Sequence, residues 1–116
     1  MSLRDRILSA NDIATKVIHV PLWDVDLEIR TLSSLERTRM IKACTDKDGN
    51  VDLEKMYPLL VISSAHDPES GMKVFDHDDM VAVSDKSAAA IEMVAKVAME
   101  MSGMNAEAID TEGKDS

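Results

Sequence analysis

Residues 16–30 read KVIHVPLWDVDLEIR, and this stretch decides the fold class. Val25, Leu27 and Ile29 alternate with Asp26, Glu28 and Arg30, the period-two pattern of a strand with one dry and one wet face. Before it, Lys16 to Val20 is dense in β-branched residues, which suit a pleated surface. Between the two runs Pro21-Leu22-Trp23-Asp24 supplies a turn: Pro fixes φ, and Asp tolerates the left-handed region better than most residues. The stretch therefore predicts a β-hairpin. A hairpin alone is not stable, so its dry face needs helices to pack on.

The flanking sequence supplies them. Residues 3–10 predict a short helix with Leu3, Ile7 and Ala10 on one side. After the hairpin, Ser33-Ser34-Leu35-Glu36 is a capping box opening a helix to about Ala43, with Leu35, Met40 and Ile41 on its apolar side. Asp52 caps the next helix, where Leu53, Met56, Tyr57, Leu60, Val61 and Ser64 share one face. Pro58 interrupts its hydrogen bonding. Leu59–Ser63 also reads as a buried strand, but the apolar period favours helix. His66 to Gly71 forms a turn, Met72–Phe75 an extended stretch, and Asp76 caps a short helix through Met80–Val83. The last helix is expected from about Ser84 to Ser102, ended by Gly103. The expected architecture is α+β: an N-terminal hairpin packed on about four helices with the last helix central, one domain over residues 1–104. Residues 105–116, NAEAIDTEGKDS, read as an acidic disordered tail.

On the last helix, at about 100° per residue, Asp85, Glu92, Lys96 and Glu100 fall on one narrow polar strip. Ile91, Val94, Ala95, Val97, Ala98 and Met101 lie opposite, and Met93 and Met99 border the strip. An apolar arc this wide requires burial on more than one side, which makes the helix either the centre of the core or a two-sided packing element. Nine Met in 116 residues is high, and Met suits surfaces that re-pack around a partner. Met93, Met99 and Met104 are thus the candidate protein-contact residues, against the plainer alternative that they fill the core.

Composition narrows the function. With 13 Lys and Arg against 22 Asp and Glu, the net charge of −9 disfavours phosphate backbones, and one residue each of Phe, Trp and Tyr makes no base-stacking platform. A lone cysteine, Cys44, fits a reducing compartment. No run approaches the length of a membrane span, and the N-terminus lacks the pattern of a signal peptide. Cys44–Lys55 resembles a calcium loop only in part: Cys44 stands where an Asp is needed and Lys55 where the closing Glu belongs. His66, Asp67, His77, Asp78 and Asp79 lack zinc spacing, and no phosphate loop or nucleophile motif is present. The expectation is a non-enzyme without metal or cofactor.

The order of pieces carries a resemblance. It runs LRDRILSANDI, VIHVPLWDVDLEIRTLSS, LERTRMIKA, DKDGNVDLEKMYPLLV, SSAHDPESGMKVF, DKSAAAIEMVAKVAMEMSGM. Taken together over residues 3–104, with the turn Asp67–Phe75 and the helix start Lys86–Glu92 as its most specific parts, the chain resembles the tail assembly chaperones of long-tailed, siphovirus-type bacteriophages. The resemblance implies a protein made in the host cytoplasm during infection or lysogeny and absent from the finished virion. It implies binding to the tape-measure protein, recruitment of the tail-tube protein, and self-association, with no catalytic residues to carry over. Such chaperones often have a longer frameshifted form. Two other readings are a structural or connector protein retained in the phage tail, and an acidic mimic of nucleic acid.

Overall fold

The hairpin forms where the alternation places it. The computed structural model describes residues 1–104, and the expected disordered tail at 105–116 lies outside the described residues. Strands β1 (Thr15–Val20) and β2 (Val25–Arg30) pair antiparallel, with Ile18 opposite Leu27 and Val20 opposite Val25. The turn closes through Trp23 N–H donating to the Val20 carbonyl at 3.1 Å. Asp24 takes the left-handed φ of 51° that the turn demands. Val20, Leu27 and Ile29 are buried. Val25 belongs to the same face but is exposed, because it sits at the turn end, outside the helical cover.

The remaining elements are helices α1 (Leu3–Leu8), α2 (Ser34–Cys44), α3 (Leu53–Ser64), α4 (Met80–Ser84) and α5 (Ala88–Met101), a two-residue strand β3 (Ala65–His66), and a 3-10 turn at His77–Asp79. The molecule is α+β, with a three-stranded antiparallel sheet in the order β1-β2-β3 and five helices among the described residues. The capping box at Ser33 is complete: its hydroxyl accepts from the Glu36 N–H at 3.2 Å, and the Glu36 carboxylate accepts from the Ser33 N–H at 3.1 Å. Leu59–Ser63 is helical, and α3 runs through Pro58. Pro58 costs one backbone bond, but burial of seven of the helix's twelve residues outweighs that loss.

Three features differ from the sequence expectation. The sheet gains a third strand, because Ala65 and His66 leave α3 in extended conformation and pair with Ile29 and Glu28. This gives the open edge of β2 the backbone partners it needs. The last helix starts at Ala88 rather than Ser84, since Asp85, Lys86 and Ser87 turn the chain between α4 and α5. At that turn the Ser84 hydroxyl donates back to the Met80 carbonyl at 2.7 Å, a local bond that competes with helix propagation. Finally, α3 is the most enclosed helix and α5 flanks it. Met56, Leu60 and Val61 of α3 are fully buried and face α2, α4, α5 and β2.

The buried face of α5 comprises Ala90, Ile91, Val94, Ala95 and Ala98. Three alanines among the five buried positions, Ala90, Ala95 and Ala98, leave little side chain between α5 and α3, while Ala88 and Ala89 at the start of the helix are exposed. Val97, Met99 and Met101 are half-buried and widen the packed face. Helix α1 differs from all the others, for none of its residues is buried.

Candidate functional site

The end of α5 builds one wall of a surface groove. Gly103 takes φ +66°. Its N–H donates to the Glu100 carbonyl at 3.3 Å, and the Met104 N–H donates to the Met99 carbonyl at 2.8 Å. This pair of bonds is the Schellman termination of a helix, a motif that commonly brings the residue after the glycine against the side chain five positions earlier. Met99 and Met104 accordingly line one groove between α3 and α5. Tyr57, Glu92, Lys96 and Glu100 complete it, and its volume is about 400 Å³. The groove has an apolar floor and a charged rim of two carboxylates and one ammonium.

The three sequence-predicted contact residues are therefore divided. Met99 is half-buried and Met104 is buried at 5% exposure, both within the groove. Met93 stands apart from the groove, at 37% exposure on the open side of α5. Tyr57, which sequence reasoning assigned only to the apolar face of its helix, is the α3 contribution. The contact is set by the Schellman turn, and the Gly103 signal read as a helix stop also carried that information.

A second groove, of about 370 Å³, lies between the hairpin turn and α4 and is lined by Trp23, Phe75, Asp79, Ala82, Val83 and Lys86. It gathers two of the chain's three aromatic residues. Sequence reasoning missed it because Trp23 and Phe75 are 52 positions apart and neither belongs to a periodic run.

The candidate chemical motifs take structural roles. In the loop after α2, one Asp46 carboxylate oxygen accepts from the Asp48 and Asn50 N–H groups, each at 2.9 Å, and Gly49 turns with φ 84°. In the turn Asp67–Phe75, the Asp67 carboxylate accepts from the Glu69 N–H at 2.8 Å and the Ser70 hydroxyl accepts from the Met72 N–H at 3.2 Å. Gly71 has φ +74°, and its carbonyl accepts from Arg30 Nη2 at 2.8 Å. Arg30 Nε also donates to Glu28 at 2.6 Å, so the turn is tied to β2. His66 is buried, with Nδ1 2.8 Å from the Ser64 carbonyl. His77 and Asp78 lie in the 3-10 turn, where Asp76 and Asp79 make a capping box. Cys44 is buried, and burial followed by the Asp52 carboxylate pushes its thiol up to about 11, while Lys55 opposes the shift. A thiol held neutral in this way is a poor nucleophile.

Among the described residues, no helix is long and apolar enough to cross a membrane. No protein-family model, curated protein or solved structure matches the chain.

Proposed function

We propose that this chain is a tail assembly chaperone of long-tailed bacteriophages. It binds the tape-measure protein, keeps it in solution, helps recruit the tail-tube protein in the host cytoplasm, and leaves before the virion is complete. It works by protein contact and self-association, without catalysis, cofactor, nucleic acid or membrane. The observation that carries this reading is an acidic body that, among the described residues, keeps apolar surface open to solvent: the α3–α5 groove, the Trp23–Phe75 groove, Met93 and the apolar side chains of α1. Apolar surface of this kind can cover the apolar helices of a client, while a net charge of −9 keeps the complex soluble. The ordered motifs of residues 3–104 support the same reading. The turn Asp67–Phe75 and the alanines of α5 hold the frame, as residues of a binding scaffold do.

Mass spectrometry of purified phage particles tests the proposal. The tape-measure protein is expected in the particles and this chain is expected to be absent. Finding it in stoichiometric amount would replace the chaperone with a structural or connector protein of the tail.

A further inference from the structure

Helix α1 is well formed locally, yet among the described residues nothing buries any of its side chains. The Ser2 hydroxyl accepts from the Asp5 N–H at 3.1 Å, and the Ser9 hydroxyl donates to the Asp5 carbonyl at 2.8 Å. Leu3, Ile7 and Leu8 remain 69%, 62% and 67% exposed. An isolated helix of six residues is marginal in water and gains most of its stability from packing. At about 100° per residue, Leu3 and Ile7 form one stripe, Arg4 and Arg6 flank it on its two sides, and Asp5 lies opposite. Arg4 and Asp5 approach to 3.6 Å as a highly exposed pair, which holds neither strongly. The arm is thus an apolar stripe between two cations. Residues 1–10 carry side-chain charge +1 (Arg4, Arg6, Asp5), leaving −9 − 1 = −10 on the rest of the chain.

The α3–α5 groove has the complementary character. Its floor is Tyr57, Met99 and Met104, and Glu92, Lys96 and Glu100 leave the rim with one net negative charge. We propose that α1 of one copy docks in this groove of a second copy. Leu3 and Ile7 sit on Met99 and Met104, and Arg4 and Arg6 meet Glu92 and Glu100. The methionines adapt to the entering side chains. Each copy offers one arm and one groove, so the contact is heterologous and repeats until it closes. The contact deepens the self-association proposed above and rests on it.

Sedimentation of the full chain from about 1 µM to about 1 mM tests the contact. The wild type is expected to associate. Ile7→Glu and the double variant Arg4→Glu/Arg6→Glu are each expected to weaken association about tenfold or more, with an unchanged urea midpoint because no residue of the arm is buried among the described residues. Glu92→Arg/Glu100→Arg is expected to weaken it likewise, and mixing this variant with Arg4→Glu/Arg6→Glu is expected to restore hetero-association. If the wild type associates but the arm variants match it, or mixing restores nothing, the arm–groove contact is wrong and self-association through another surface stands. If the wild type stays monomeric throughout, because the arm folds into its own groove or binds only other proteins, both the contact and the self-association fall.

Discussion

Gly71 and Gly103 both adopt positive φ, at +74° and +66°, yet their surroundings differ. A Cβ on Gly103 meets nothing within 4 Å, whereas one on Gly71 lies 3.0 Å from Arg30 Nη2. Substitution by Ala at either site costs about 1–2 kcal/mol for the left-handed backbone, offset by about 0.4–1 kcal/mol from a less flexible unfolded chain. The net for Gly103→Ala is about 1 kcal/mol. At Gly71 the guanidinium must also move, and two bonds hold it, 2.8 Å to the Gly71 carbonyl and 2.6 Å to Glu28. A charged bond of this type contributes about 1.5–3 kcal/mol when dry. The Arg30 side chain is 33% exposed, so about 1 kcal/mol is a fair share after solvent screening. Gly71→Ala should therefore cost about 2 kcal/mol, a fall in Tm of about 8 °C against about 4 °C for Gly103→Ala. Urea and thermal unfolding of both variants, in the wild-type and Arg30→Met backgrounds, measure the difference. Without Arg30 the two glycine substitutions should cost the same. Equal costs with Arg30 present, or a gap that survives Arg30→Met, would refute the view that the Asp67–Phe75 turn is pinned to β2 by this side chain.

Ser33→Ala should cost about 1 kcal/mol of global stability through loss of the α2 cap. Ser2→Ala breaks an equivalent capping box on α1 and should leave the urea midpoint unchanged, since α1 frays independently of the core. Met93→Glu should leave the fold intact and weaken client binding. Met104→Glu buries a carboxylate at a 5%-exposed site and should lower the urea midpoint sharply. For Cys44 the unfolded thiol ionises from about 9 and the folded one only at about 11. The unfolded state thus loses its proton first, and the stability advantage of wild type over Cys44→Ala should shrink as pH rises between those values. Denaturation at a series of alkaline pH values shows this; a constant advantage contradicts it.

Local patterns in the chain were legible where a single element determined them. The Val25–Ile29 alternation, the Ser33–Glu36 box and the apolar period across Pro58 each mark one strand, one cap and one helix, and each forms. Contacts between elements were less legible. Strand β3 is two residues long and has no periodicity; it exists because β2 has an edge to fill. The break at Asp85–Ser87 falls in Ser84-Asp85-Lys86-Ser87, where Ser and Asp favour caps and turns, Ser84 bonds back to Met80 and Ser87 stands at the N-cap of α5. The apolar arc on α5 is wider than its buried face, which Ala90, Ile91, Val94, Ala95 and Ala98 form, and Met93 stays exposed. The arc could not reveal that α3, with its proline, lies deeper. Of the candidate contact residues, Met99 and Met104 come together through the Schellman turn, while the Tyr57 partner across the groove depends on the packing of α3 against α5.

The proposed function requires this chain to hold the tape-measure protein in solution. Co-expressing the tape-measure protein of the same phage with and without this chain, and measuring its soluble fraction after high-speed centrifugation, tests it most directly. The tape-measure protein should pellet when made alone and stay in the supernatant, bound to this chain, when the two are made together. An unchanged soluble fraction, with no co-purifying complex, would contradict it.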